Sequence, residues 1–81
     1  MNVLHLTVVS PEKELFCGEV QQVTLPGTMG AFTILNQHAP IVSSLQAGVV
    51  TYVTAAGEEH QIEVKSGFME MSYNKISVCV E

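Results

Sequence analysis

Three histidines, two cysteines, a Gly-Thr-Met-Gly turn and two carboxylate pairs are the features of this 81-residue chain that admit chemistry. His5, His38 and His60 share no local metal-ligand spacing, so only the fold could gather them. A zinc or iron site also needs carboxylates to orient its imidazoles, and Glu58 and Glu59 beside His60 read instead as a solvated turn. Cys17 and Cys79 lack CxxC spacing and are expected as reduced thiols that behave as small hydrophobes. Ser10, Ser43, Ser44 and Cys17 have no Gly-x-Ser-x-Gly elbow or ordered triad around them. Gly27-Thr28-Met29-Gly30 lacks the lysine and following helix of a phosphate cradle, so its glycines are expected to serve a tight bend. These residues predict no enzyme, no cofactor and no metal.

Two positions suit contact better than catalysis. Proline holds the residue before it extended, so Ala39-Pro40 makes a rigid corner beside His38. His38 then either anchors its loop or presents its ring to a partner, and both readings stand. Met29 falls at a turn tip, where an apolar side chain has no core to join, and flexible thioethers suit adaptable surfaces. Met69 and Met71 share one parity and are expected inside.

The elements that must carry these residues read as strands. Turn signals recur at roughly 8–12 residues, the pattern of a sandwich or barrel. Gln61 to Lys65 alternates polar and apolar residues, as do Ile76, Val78 and Val80 with their neighbours. Leu4, Leu6 and Val8 share one parity, and β-branched Val49 to Thr54 favours a pleated strand. The turn at Gly57-Glu58 predicts a hairpin, and the slip at Gln21-Gln22 predicts a bulge or a strand changing sheets. The phenylalanines are expected in the core. No window has helical apolar spacing. The fold class is all-β: a flattened β-sandwich of about eight to ten short, mostly antiparallel strands, in one domain spanning 1–81.

Composition narrows the partners. The chain is 47% hydrophobic and only 14% charged, which excludes disorder and suggests that a partner covers part of the surface. Its net charge of −5, with three Lys and no Arg, argues against nucleic acid and anionic lipid. The N-terminus lacks a signal-peptide pattern and no segment is long enough for a membrane span, so a soluble, cytosolic chain is expected. Stability is expected at about 5–8 kcal/mol.

Several segments, in order, resemble the N-terminal β-sandwich domain of the epsilon subunit of F-type ATP synthases. They are VVSPEKELFCGEV, LPGTMGAFTILNQHAP, Gly48-Val49-Val50, SGFMEM and NKISV, and they span nearly the whole chain. The resemblance implies a non-catalytic rotor subunit of the central stalk, binding the gamma subunit and resting on the polar loops of the membrane c-ring. It implies that ion-driven ring rotation is coupled to gamma and so to ATP synthesis. Ser10, His38 and Ser43 match gamma-facing positions. Thr28, Met29, Gly30 and Ala31 match the c-ring-facing loop, although relatives often carry acidic residues where Met29 and Ala31 stand, so an apolar contact replaces a charged one. Many relatives continue into a helical hairpin that inhibits ATP hydrolysis; that activity is expected to be absent if Glu81 is the natural end of the protein, and a longer protein cut at this boundary would have the same 81 residues.

The implied location is the cytoplasmic face of the bacterial inner membrane, as a peripheral part of the synthase and without insertion. The weakly charged surface also leads us to expect weak self-association of the isolated chain. Two other classes compete. A carbohydrate-binding module would display aromatic platforms, but the chain has no Trp. A metal-dependent enzyme would have to unite the three histidines.

Overall fold

A computed structural model describes residues 3–36 and 39–81. Eight strands follow in order: β1 (Leu4–Val9), β2 (Glu14–Gly27), β3 (Gly30–Leu35), β4 (Ile41–Leu45), β5 (Gly48–Thr54), β6 (Glu59–Val64), β7 (Gly67–Ser72) and β8 (Lys75–Val80). No helix occurs among the described residues. The strands run β1-β8-β7-β4-β2-β5-β6, with β3 attached to β2, and β1 also pairs with β2. That second pairing folds the sheet back on itself into a β-sandwich. The extents, 33 × 23 × 18 Å, describe a flattened body. All pairings are antiparallel except β1 with β8, which joins the two ends of the chain side by side.

Alternation decides which side chains enter the interior, because successive residues of a strand point to opposite faces. Leu4, Leu6 and Val8 are fully buried from β1, and Ile76, Val78 and Val80 are buried from β8. Val50 and Tyr52 enter from β5, and Met69 and Met71 from β7.

The long strand β2 serves both layers, which requires its buried parity to change along its length. It does so at Gln21. The pairing of β2 with β5 shifts register between Val20 and Gln22. Val20 is therefore buried before the bulge, and Val23 and Leu25 after it. The extra residue lets one strand turn its apolar side inward twice.

Two expectations about residue placement are overturned. Phe16 and Phe32 only flank the core, and Phe68 is exposed because it has the opposite parity to Met69 and Met71. Cys17 is likewise exposed rather than packed as a hydrophobe, while Cys79 is half-buried, and both thiols are free. Cys17 lies on the outward parity of β2 opposite Thr7. Its sulfur sits 3.7 Å from His5 Nε2 and 3.9 Å from the Thr7 hydroxyl.

Candidate interaction surface

The outer face of the β4-β7-β8 layer is built by the residues that alternation excludes from the core. In the β4–β7 register Val42 lies opposite Glu70 and Ser44 opposite Phe68. Across β7 and β8, Phe68 lies opposite Cys79. Val42 is 73% exposed and Phe68 52% exposed, although both are large and apolar. Beside Phe68 runs a groove of about 270 Å³ lined by Val9, Ser10, Pro11, Cys79 and the end of β8. Such a surface is costly to leave wet and is suited to a protein partner.

Ser10 stands at the rim of this groove, in the turn between β1 and β2. Its amide donates to the Lys13 carbonyl at 2.8 Å and its hydroxyl to the same oxygen at 3.1 Å. The turn is therefore rigid, and Pro11 next to it adds apolar lining. Ser43 is on β4 but on the inward parity opposite Met69, half-buried, with its hydroxyl donating to the Ser44 carbonyl at 2.9 Å. Ser10 and β4 are joined through Phe68, which touches the groove and pairs with Ser44. His38 lies outside the described residues. Residue type alone puts Phe68 in the core, and the sequence reading assigns no role to Val42. Counting alternate residues back from Met69 and Met71 would have placed Phe68 outside.

Thr28, Met29, Gly30 and Ala31 form the tip of the β2–β3 hairpin, and all four are exposed. Gly27 pairs with Gly30 around the two-residue turn Thr28-Met29. Gly30 has φ +126°, a region that glycine enters freely. A side chain on Gly27 would come within 2.8 Å of the Gly30 carbonyl oxygen. Both glycines thus serve the bend. Met29 is 99% exposed at the summit. The tip is fastened to β4, since the Thr28 amide donates to Ser44 O at 3.1 Å and their hydroxyls lie 3.0 Å apart. The hairpin tip and the Val42–Phe68 face are thus connected through Ser44.

Among the described residues titratable side chains do not converge into a reactive site. Among the described residues no group of three or more His, Cys, Asp or Glu is placed to hold a metal ion. His60 stacks on Tyr52 with ring centroids 5.6 Å apart and meets exposed Glu58 at 3.4 Å, a pairing worth little in water. Burial raises the Tyr52 phenol above its usual value of 10.0. Among the described residues no helix is long and apolar enough to cross a membrane.

The ATP synthase delta/epsilon chain β-sandwich domain matches residues 3–81. The chain belongs to this family. It is similar to the ATP synthase epsilon chain of Nitrobacter winogradskyi, 42% identical over all 81 residues of this chain and 59% of the relative. The epsilon chain of Hyphomonas neptunium is 37% identical over 78 residues, 96% of this chain and 58% of the relative. This epsilon-type chain therefore spans about three-fifths of the length of those relatives.

Its fold is shared with a chain in the Euglena gracilis mitochondrial ATP synthase at a TM-score of 0.91 and 17% identity, covering 99% of this chain and 51% of that one. A chain in the Tetrahymena thermophila central stalk and c-ring assembly aligns at a TM-score of 0.76 and 17% identity, covering 95% and 62%. At that identity the likeness speaks for fold alone.

Proposed function

We propose that this epsilon-type chain is a non-catalytic subunit of the rotor of an F-type ATP synthase, binding the gamma subunit with its Val42–Phe68 face. The observation that carries the reading is two large apolar side chains held exposed on a rigid strand pair, with Ser10 at their edge. Burying them against a partner is favourable by roughly 25 cal/mol per Å² of apolar area. Ser43 supports the same face from beneath, and His38 is counted among the gamma-facing residues by family resemblance alone.

The hairpin tip Thr28 to Ala31 is the part proposed to meet the polar loops of the c-ring. Fully exposed Met29 supplies an apolar contact there. Fastening the tip to β4 makes the chain a stiff link, so torque received at the ring would pass to gamma without being absorbed in a loose loop. In this role the chain is peripheral, at the cytoplasmic face of a bacterial inner membrane, and carries out no bond chemistry itself.

Cys79 offers a direct reporter, because it lines the groove beside Phe68. Saturating gamma subunit from the same organism should slow alkylation of Cys79 at least tenfold. An unchanged rate at saturating gamma would remove this face from the proposed contact.

A further inference from the structure

Among the described residues strand β3 pairs with β2 alone, so one of its edges is open. Which backbone groups face that edge follows from the turn. Gly27 and Gly30 are separated by two residues and can pair only by exchanging both hydrogen bonds with each other. Hydrogen-bonded and non-bonded pairs then alternate, so Phe32 and Ile34 bond to Leu25 and Val23. Ala31, Thr33 and Leu35 turn their N–H and C=O groups outward. Pro26, which has no N–H, falls opposite Ala31 at a non-bonded position, as this alternation requires. The 2.9 Å contact between the Thr24 and Thr33 hydroxyls fits the closer approach of a non-bonded pair.

Open edges are normally guarded by charge, proline or a bulge. The other edge strand, β6, carries Glu59 and Glu63. Strand β3 reads Gly-Ala-Phe-Thr-Ile-Leu and carries none of these guards. No Asp, Glu, Lys or Arg occurs anywhere between Glu19 and Glu58. Leu35 is 54% exposed at the end of the strand.

We infer that the open edge of β3 is a pairing site for a second copy of this chain, joined antiparallel about a two-fold axis at Thr33. In that register Thr33 faces Thr33 of the second copy and Ala31 faces its Leu35, with two backbone hydrogen bonds formed at each pair. The pattern is self-complementary because small Ala31 meets large Leu35 on both sides of the axis. Charge selects this edge: each copy carries −5, and pairing through β6 would set carboxylates against carboxylates. The uncharged β3 is where two such chains approach at least electrostatic cost. Ala31 also belongs to the tip proposed to meet the c-ring, so pairing would mask that tip until assembly. This last point rests on the proposed rotor role, whereas the pairing itself does not.

Sedimentation equilibrium of the chain from about 10 μM to about 1 mM covers the range in which small interfaces associate. A reversible dimer is expected that strengthens with added salt, since screening reduces repulsion between like-charged copies. Leu35→Lys should weaken it at least tenfold. Thr33→Pro, which deletes an outward N–H, should abolish it, with circular dichroism checking that each variant is folded. Monomer throughout the range overturns the inference. So does a dimer that both folded variants leave unchanged, which would indicate association through another surface. Gamma binding measured in parallel by the wild-type chain keeps the pairing and the rotor reading separate.

Discussion

The strand pair β4–β7 shows two opposite uses of apolar side chains only one residue apart. On its inner side Leu45, Met69 and Met71 are buried almost completely. On its outer side Val42 and Phe68 remain largely exposed. The backbone hydrogen bonds are common to both sides, so the difference lies in what each side chain meets. The inner residues meet the other layer of the sandwich and account for stability. The outer ones add little to stability and are the side chains proposed to meet a partner.

Changing one side at a time can break this division. Met69→Ala should cost about 2–5 kcal/mol, by loss of transfer energy and creation of a cavity. A chemical denaturation midpoint close to that of wild type would show that the inner side is not the stabilising one. Val42→Lys and Phe68→Ser should each change stability by less than about 1 kcal/mol. Lysine at position 42 lies opposite Glu70, so it adds a favourable cross-strand charge pair rather than a repulsion. Large unfolding effects from these two variants would move the outer face into the structural class.

Two smaller effects sharpen the comparison. Burial raises the Tyr52 phenol above 10.0, so the folded chain holds that proton more tightly than the unfolded chain. The contribution is complete below pH 10 and is lost as pH rises through the higher folded value. Denaturation of wild type should therefore steepen with pH above about 10, and Tyr52→Phe should flatten that dependence. Equal slopes would place Tyr52 outside the energetically buried set. The smallest effect concerns the β7–β8 turn, where Tyr73 and Asn74 have φ of 52° and 62°. Tyr73 is 92% exposed, so Tyr73→Asn should relieve left-handed strain and stabilise by about 0.5 kcal/mol, read as a higher melting temperature.

Much of the fold was legible because local alternation and turn chemistry carry it. Ile76, Val78 and Val80, the bulge at Gln21-Gln22 and the hairpin at Gly57-Glu58 all occur as their spacing indicates. The parallel pairing of β1 with β8 was not legible, because it joins segments from opposite ends of the chain and leaves no local signal. Of the proposed contact surface, the exposure of Met29 could be read directly, since an apolar residue at a two-residue turn has nowhere to bury itself. Phe68 was misread from its residue type, and Ser43 has the inward parity of Ile41 and Leu45. The neighbourhood of Ser10 and Phe68 depends on strand order and required the fold.

Affinity for the gamma subunit, measured by calorimetry on wild type and on the Val42→Lys/Phe68→Ser double variant, tests the division between faces most directly. Wild type should bind, and the folded double variant should bind at least a hundredfold more weakly at similar stability, a loss of about 2.7 kcal/mol or more. Equal affinities, or no binding by folded wild type, would contradict the assignment of the outer face to the rotor contact.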